Sequence, residues 1–401
     1  MRIKKGICLQ STMTKQKYPI SRLKEWSNKG EPLEVNIENI SRAKIKEGNC
    51  LWEKFIDFLP FKNIDNNLSL GEGNTPILSG SKTLKNYCDL KNIFLKNETQ
   101  NPTWSFKDRG SFACTLMAKA MGESVTATIS TGNMGNSIAA YGAKANLKTI
   151  VFLPDFTPEE KIAAIGIHGA QIYKIKTENY SNMKKTILDH ASNLGIRVVS
   201  GNGPIRVEGY KVAAFEIYQQ FSGHIPDYIA VPTSACGHIR GLFKGFRELK
   251  QAGYINKLPK MIIVQAENNS PIVNAIKKNR NKIIPEKNVN TIAEAITSGS
   301  PYGGKEIIAK AKKYNWLAEN VSESKIIESQ KLLAKSGLFV EPSSATVLNA
   351  VKKLKSKNLI QKEDSVMLIL TGSGLKDFNV IKNYNFDIKN KDINSIEEWF
   401  N

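Results

Sequence analysis

One lysine in this chain sits between an aromatic ring and an acid–base pair, in the stretch Asn101-Pro102-Thr103-Trp104-Ser105-Phe106-Lys107-Asp108-Arg109-Gly110. An ammonium becomes a nucleophile when its pKa is brought toward neutrality, by desolvation or by nearby positive charge. Phe106 offers the apolar cover, and Arg109 is read as the charge. With 57 Lys and Arg residues in the chain, a solvated turn lysine is the plain alternative for Lys107 taken alone. The nine residues around it argue for chemistry.

Three further stretches have the composition of anion-binding loops: Ser130-Thr131-Gly132-Asn133-Met134-Gly135-Asn136, Thr233-Ser234-Ala235-Cys236-Gly237-His238 and Thr371-Gly372-Ser373-Gly374-Leu375-Lys376-Asp377. Each follows an apolar strand-like run. Strand ends in open α/β sheets are where ligands bind, and the helix starts that follow attract anions through unpaired backbone N–H groups. The first stretch suits a carboxylate, or is a simple capped turn. In the second, small residues can form a nest of N–H donors; His238 there either donates to an anion or is a satisfied loop residue. The third, alone, is a common Gly-rich turn.

The lysine stretch resembles the N-P-T-G-S-F-K-D-R-G block of threonine synthases and their relatives. These are pyridoxal-phosphate (PLP) enzymes of the tryptophan-synthase-β fold, also called fold type II. The resemblance implies that Lys107 carries PLP as a Schiff base, with Phe106 beside the cofactor. Trp104 stands where the family has a small glycine, close enough to the cofactor to reshape the substrate pocket. The segment from Ser130 is similar to the family's S-[ST]-G-N-[AT]-G-N-S. That places Ser130 and Thr131 at the substrate α-carboxylate, Met134 and Asn133 among the substrate-binding residues, and Asn133 also at the cofactor's 3-hydroxyl. Residues Ser234, Ala235, Cys236, Gly237 and His238 match the position of the family's phosphate loop, though Gly237 alone keeps a clear identity. The last stretch resembles T-G-x-G-L-K-D, whose Thr, here Thr371, faces the pyridine nitrogen; a hydroxyl there makes the ring a milder electron sink than a carboxylate would. Gly71-Glu72-Gly73-Asn74-Thr75-Pro76 and Glu341-Pro342-Ser343-Ser344-Ala345 look like G-E-G-N-T-P and E-P-x-S-A. In order, the likeness runs from about residue 70 to 377.

Threonine synthases act on O-phosphohomoserine and hold its phosphate partly with N-S-V-N-P-[YF]-R-x-E-G. The matching stretch is Ser200-Gly201-Asn202-Gly203-Pro204-Ile205-Arg206-Val207-Glu208-Gly209. Arg206 is kept, and a guanidinium suits phosphate; otherwise it is a surface helix residue in a salt bridge. The leading Asn-Ser pair has become Ser200-Gly201, and the Asn of the cofactor loop has become Ala235. Each lost charge-assisted hydrogen bond costs about 1.5–3 kcal/mol. The first reading is therefore a PLP-dependent lyase of threonine synthase type. The second is a relative with a changed substrate, such as a threonine or serine dehydratase or another β- or γ-replacement enzyme. Outside enzymes, the alternative is a non-catalytic sensor that keeps the fold.

The elements that must position these residues are α/β. Apolar strand runs at Ile93–Lys96, Val125–Ile129, Thr149–Leu153, Gln171–Ile175, Arg197–Ser200, Tyr228–Pro232, Met261–Ala266 and Ser365–Leu370 alternate with helical spacing at 105–121, 136–145, 163–169, 182–195, 204–221 and 241–252. Buried strands between helices predict two open, twisted, mainly parallel sheets flanked by helices. At 401 residues, the chain suits a segment 1–70 with a helix at 51–59, a large cofactor-binding domain of 71–115 plus 201–377, a small mobile domain of 116–200, and a peripheral tail 378–401.

No apolar run approaches membrane length, and the basic start is too polar for a signal peptide. Five scattered cysteines without C-x-x-C and four unspaced histidines argue for a reducing cytoplasm and against a metal. The net charge of +20 is spread along the length, which reads as composition rather than a nucleic-acid surface. The expected partner is a small amino acid, and a homodimer is the family's habit.

Overall fold

The computed structural model describes residues 1–20, 25–177, 180–191, 195, 197–286, 290–377, 381 and 384. Most of the tail expected to be peripheral lies outside the described residues.

A six-stranded sheet runs in the order Leu317–Val321, Lys260–Ala266, Tyr228–Pro232, Ser365–Leu370, Asn92–Asn97, Ile77–Ser79. Its pairs are parallel except at the last strand, which is antiparallel. The central strands alternate their side chains between two cores: Ile229, Val231, Ile263, Met367 and Ile369 enter one, and Ala230, Ile262, Val264, Leu368 and Leu370 the other. That is the period-2 pattern of a sheet buried on both faces. Helices Lys107–Ala120, Pro204–Gln220 and Gly237–Gln251 cover the first face; Lys82–Cys88, Glu323–Lys335 and Pro342–Ser356 cover the second. Where Pro204–Gln220 crosses Lys107–Ala120 the backbones touch, since a Cβ on Gly209 would lie 2.1 Å from the Arg109 carbonyl.

A second, four-stranded parallel sheet has the order Gln171–Ile175, Lys148–Pro154, Val125–Ile129, Val198–Val199. The two expected sheets are thus present. The leading segment adds a third, three-stranded and antiparallel, from Cys8–Ser11, Lys17–Pro19 and Leu33–Asn36. The helix predicted at 51–59 is an α-turn, Leu51–Lys54, followed by a 3₁₀ turn, Ile56–Phe58. Four helices start earlier than their apolar spacing predicts, at Asn133, Glu159, Tyr180 and Gly237. Among the described residues no helix is long and apolar enough to cross a membrane.

Because Asn92–Asn97, Ser365–Leu370 and Tyr228–Pro232 are parallel neighbours, the stretches that follow them emerge at one edge of the sheet. Those are the lysine stretch, the Thr371 stretch and residues 233–238.

Candidate active site

Lys107 is the first residue of helix Lys107–Ala120. Its Nζ lies 4.3 Å from the centroid of the Phe106 ring. Phe106 in turn stacks on His238, centroids 3.8 Å apart and planes 10° from parallel, and meets Tyr210 at 5.0 Å. Burial in this apolar setting, with the Arg206 charge next in weight, lowers the Lys107 pKa from 10.5 to about 7, against the pull of Glu341.

Arg109 does not supply that charge. Two positions along a helix differ by about 200°, so Arg109 leaves on the other side from Lys107. It is fully buried; its Nε and Nη2 donate to Glu98 at 2.7 Å each and its Nη1 to Glu216 at 2.8 Å, while Lys96 also pairs with Glu216. The face of Lys107 is continued by Gly110 and Ser111, three and four residues on. There Arg206 packs: a Cβ on Gly110 would lie 2.5 Å from Arg206 Cγ, and Arg206 Nη1 donates to Ser111 Oγ at 3.2 Å.

Arg206 is not the surface salt-bridge residue of the alternative reading. It is 1% exposed; its Nε and Nη2 make no hydrogen bond of good geometry among the described residues, and the Tyr210 hydroxyl is the neighbouring group that acts on it most strongly.

The lysine and Thr371 stretches are stitched together. Phe106 N donates to Thr371 O at 3.0 Å and Ser373 N to Trp104 O at 3.0 Å. The Thr371 hydroxyl is buried, 2.7 Å from that of Ser344. Ser344 Oγ also accepts from Gly372 N at 2.9 Å. Trp104 itself is 49% exposed and has φ +62°, the left-handed region that glycine enters freely and a tryptophan enters at a cost.

From the four-stranded sheet, Ser130 is buried, Thr131 half-buried, and Asn133 opens helix Asn133–Lys144. Asn133 Nδ2 donates to Glu341 Oε1 at 2.7 Å, and Lys376 donates to Asn133 Oδ1. Met134 is buried against the place of Gly201, whose Cβ would lie 3.4 Å from its sulfur. The helix reaches the lysine helix through Ser137, whose hydroxyl donates to Asp108 at 2.6 Å and lies 2.7 Å from that of Ser111.

Residues 233–238 turn sharply. Cys236 has φ +79° and caps helix Gly237–Gln251; Ser234 Oγ accepts from Ser298 N at 3.2 Å, and Ala235 lies half-buried between them. Gly237 is required for close approach, since a Cβ there would sit 2.2 Å from Gly201 O. His238 is therefore not a loop residue but lies in the first helical turn. It is buried, both ring nitrogens lack partners among the described residues, and desolvation lowers its pKa to about 3.

Glu341, Ser344 and Lys376 stood in matched stretches but were not read as site residues; the contacts of Glu341 and Lys376 to Asn133 span the two sheets, that of Ser344 to Thr371 spans 27 positions, and none has a local signature. Lys184 and Glu25, whose charges fall on this neighbourhood, lie in no motif.

Residues 68–372 match the family model described as "Pyridoxal-phosphate dependent enzyme". The chain is 36% identical over 342 residues to the threonine synthase of Methanocaldococcus jannaschii, covering 85% of this chain and 84% of that one. The likeness to the threonine synthase of Methanosarcina acetivorans is 35% over 341 residues, 84% and 83% of the two chains. The chain belongs to the threonine synthase family of PLP-dependent enzymes. Among solved structures, the fold is shared with maize serine racemase (TM-score 0.65, 19% identity, 77% and 90% of the chains). It is also shared with processed threonine deaminase isoform 2 from Solanum lycopersicum (TM-score 0.65, 18% identity, 95% and 96%). It is a PLP-dependent lyase of threonine synthase-like function, in an α/β fold of type II.

The residues present fit that cofactor. Ser105 Oγ and both His238 nitrogens are buried beside Lys107 with no partner among the described residues. Gly237 keeps the start of its helix as bare backbone, whose first N–H groups favour a phosphate.

Proposed function

We propose that this enzyme converts O-phosphohomoserine and water to threonine and phosphate. The observation that carries the reading is an amine with its pKa brought to about 7 on the helix face against which a buried, partly unpaired guanidinium packs. One group suits covalent attachment and proton transfer, the other an anionic leaving group. The relatives named threonine synthase support the choice of substrate.

When bound, PLP draws off the electron pair left at Cα as a proton departs. Lys107 holds the cofactor and then moves protons: the substrate loses them from Cα and Cβ, and phosphate leaves Cγ. Protons return to Cγ and Cα, the hydroxyl of water bonds Cβ, and the other proton of that water goes to the departing phosphate. Phe106 shields the amine, and Asn133, held by Glu341 and Lys376, orients the cofactor ring. Thr371, fixed by Ser344, meets the ring nitrogen without forcing its protonation. Residues Ser234, Ala235, Cys236, Gly237 and His238 take the cofactor phosphate; a neutral His238 contributes a hydrogen bond rather than charge. Ser130 and Thr131 receive the α-carboxylate and Arg206 the leaving phosphate, with Met134 among the substrate-binding residues.

In this reading residues 71–115 and 201–377 form the cofactor domain and 116–200 a smaller domain that moves on it. The protein works as a cytoplasmic homodimer, in keeping with five unpaired cysteines.

A second reading, with another amino acid as substrate, is favoured by Ser200-Gly201 and Ala235, where the family has side-chain donors, and by Trp104. The test is the absorbance of the bound cofactor on adding O-phosphohomoserine, together with product analysis. A spectral change with threonine and phosphate released supports the first reading. A spectrum indifferent to that compound but responsive to serine or threonine supports the second.

A further inference from the structure

Glu25 lies in the leading segment, outside the matched family region of 68–372. Its Oε2 nevertheless accepts the Ser200 N–H at 2.8 Å, at the head of the stretch Ser200-Gly201-Asn202-Gly203 that leads into the helix of Arg206. The seat is fitted to a carboxylate: a Cβ on Gly203 would lie 2.1 Å from Oε2 and 2.7 Å from Oε1. The backbone at Gly203, φ −65° and ψ 155°, is open to any residue, so the glycine serves room and not conformation. The turn that carries Glu25 is itself docked, by Trp26 stacked on Tyr302 at 4.6 Å and Ser27 N donating to Glu31 O at 2.9 Å.

On the other side stands Arg206, 1% exposed, its Nε and Nη2 without a hydrogen bond of good geometry among the described residues. No carboxylate of a described residue is within ion-pair reach of it; Glu25 acts on it across space, as it does on Lys184. Burial raises the Glu25 pKa, while Ser200, Arg206 and Lys184 oppose that rise.

We propose that Glu25 is a built-in anion on the approach to Arg206, which an anionic side-chain group of the substrate must displace. The leading segment thereby decides which amino acids are admitted. Two anions in one desolvated place repel, and the Ser200 N–H serves one acceptor at a time. The inference rests on the reading of Arg206 given above, and deepens it: the donors missing at Ser200-Gly201 are matched by an acidic competitor supplied from outside the family region.

The test uses the PLP-loaded enzyme and two probes. Inorganic phosphate binding is measured by calorimetry, and binding of L-threonine, whose side chain is neutral, by the cofactor absorbance. In Glu25→Ala the phosphate dissociation constant falls about tenfold, the scale of one charged competitor removed, while that of L-threonine stays within about twofold. Gly203→Ala, which crowds the carboxylate out, gives the same pattern. Glu25→Gln, similar in shape but uncharged, moves the same way and keeps the test open if the alanine variant does not fold. Unchanged or weaker phosphate binding overturns the proposal, as does a parallel change for L-threonine, which signals general loosening. Tighter phosphate binding in an enzyme that ignores O-phosphohomoserine leaves this inference standing and removes that substrate. Turnover without any gain in phosphate binding does the reverse.

Discussion

Replacing Arg206 by methionine removes one positive charge from the surroundings of Lys107 but keeps a stem beside Gly110, where Arg206 Cγ packs. Burial is the larger cause of the low Lys107 pKa and Arg206 the next; the substitution removes the second and leaves the first. With a pKa of about 7 the amine is about half neutral at pH 7, whereas at its ordinary value roughly one molecule in 3,000 would be. A unit charge held beyond direct contact and acting through an effective dielectric of about 20 is worth on the order of 1–2 kcal/mol, or about one pH unit. The expected midpoint in Arg206→Met is therefore about one pH unit higher, with the neutral amine at pH 7 reduced about fivefold. The assay is the rate of PLP uptake by the stripped protein, followed by absorbance across pH. Arg206→Lys, which keeps the charge, is expected to hold the midpoint near the wild-type position. A midpoint that stays put or falls in Arg206→Met refutes the assignment of Arg206 as the charge that tunes Lys107.

Arg109→Leu leaves Glu98 and Glu216 buried with Lys96 as the remaining cation, and is expected to cost about 3–5 kcal/mol of stability by urea unfolding; a loss below about 1 kcal/mol would refute the role given to the network. Lys107→Met is expected to raise the melting temperature of the cofactor-free protein. The folded-state pKa of Lys107 is depressed, so its penalty is full at and below about pH 7 and shrinks as pH rises toward the ordinary lysine range; a gain that grows with pH would contradict the assignment. Trp104→Gly relaxes a left-handed residue on an exposed surface and is expected to change kcat/KM ratios among amino acids more than cofactor affinity. Identical ratios in the two proteins would exclude Trp104 from the substrate pocket.

The parallel α/β core was legible because its strands are continuous apolar runs separated by helical spacing, and runs such as 228–232 and 365–370 bury every or nearly every residue. The starts at Asn133 and Gly237 were misplaced because the first turns of those helices hold one apolar residue each, Met134 and Ile239, too few to set a period. The leading sheet was missed for another reason. Its strands are 3 or 4 residues long, and Leu9 pairs with Val35, 26 positions on, a separation that no local pattern spans. Arg109 was misread by adjacency in sequence: helical geometry turns it away from Lys107 and brings Arg206, 99 positions on by residue number, to the face that Lys107 shares with Ser111. Glu25 carries no motif at all, and only its place against Ser200 and Gly203 gives it meaning.

The account turns on Lys107, and one comparison tests it most directly. Wild-type enzyme and Lys107→Ala, each incubated with PLP and O-phosphohomoserine, are assayed for threonine and phosphate. The wild type is expected to release the two in equal amounts and the variant neither. Release from Lys107→Ala at a rate near that of the wild type would contradict the account.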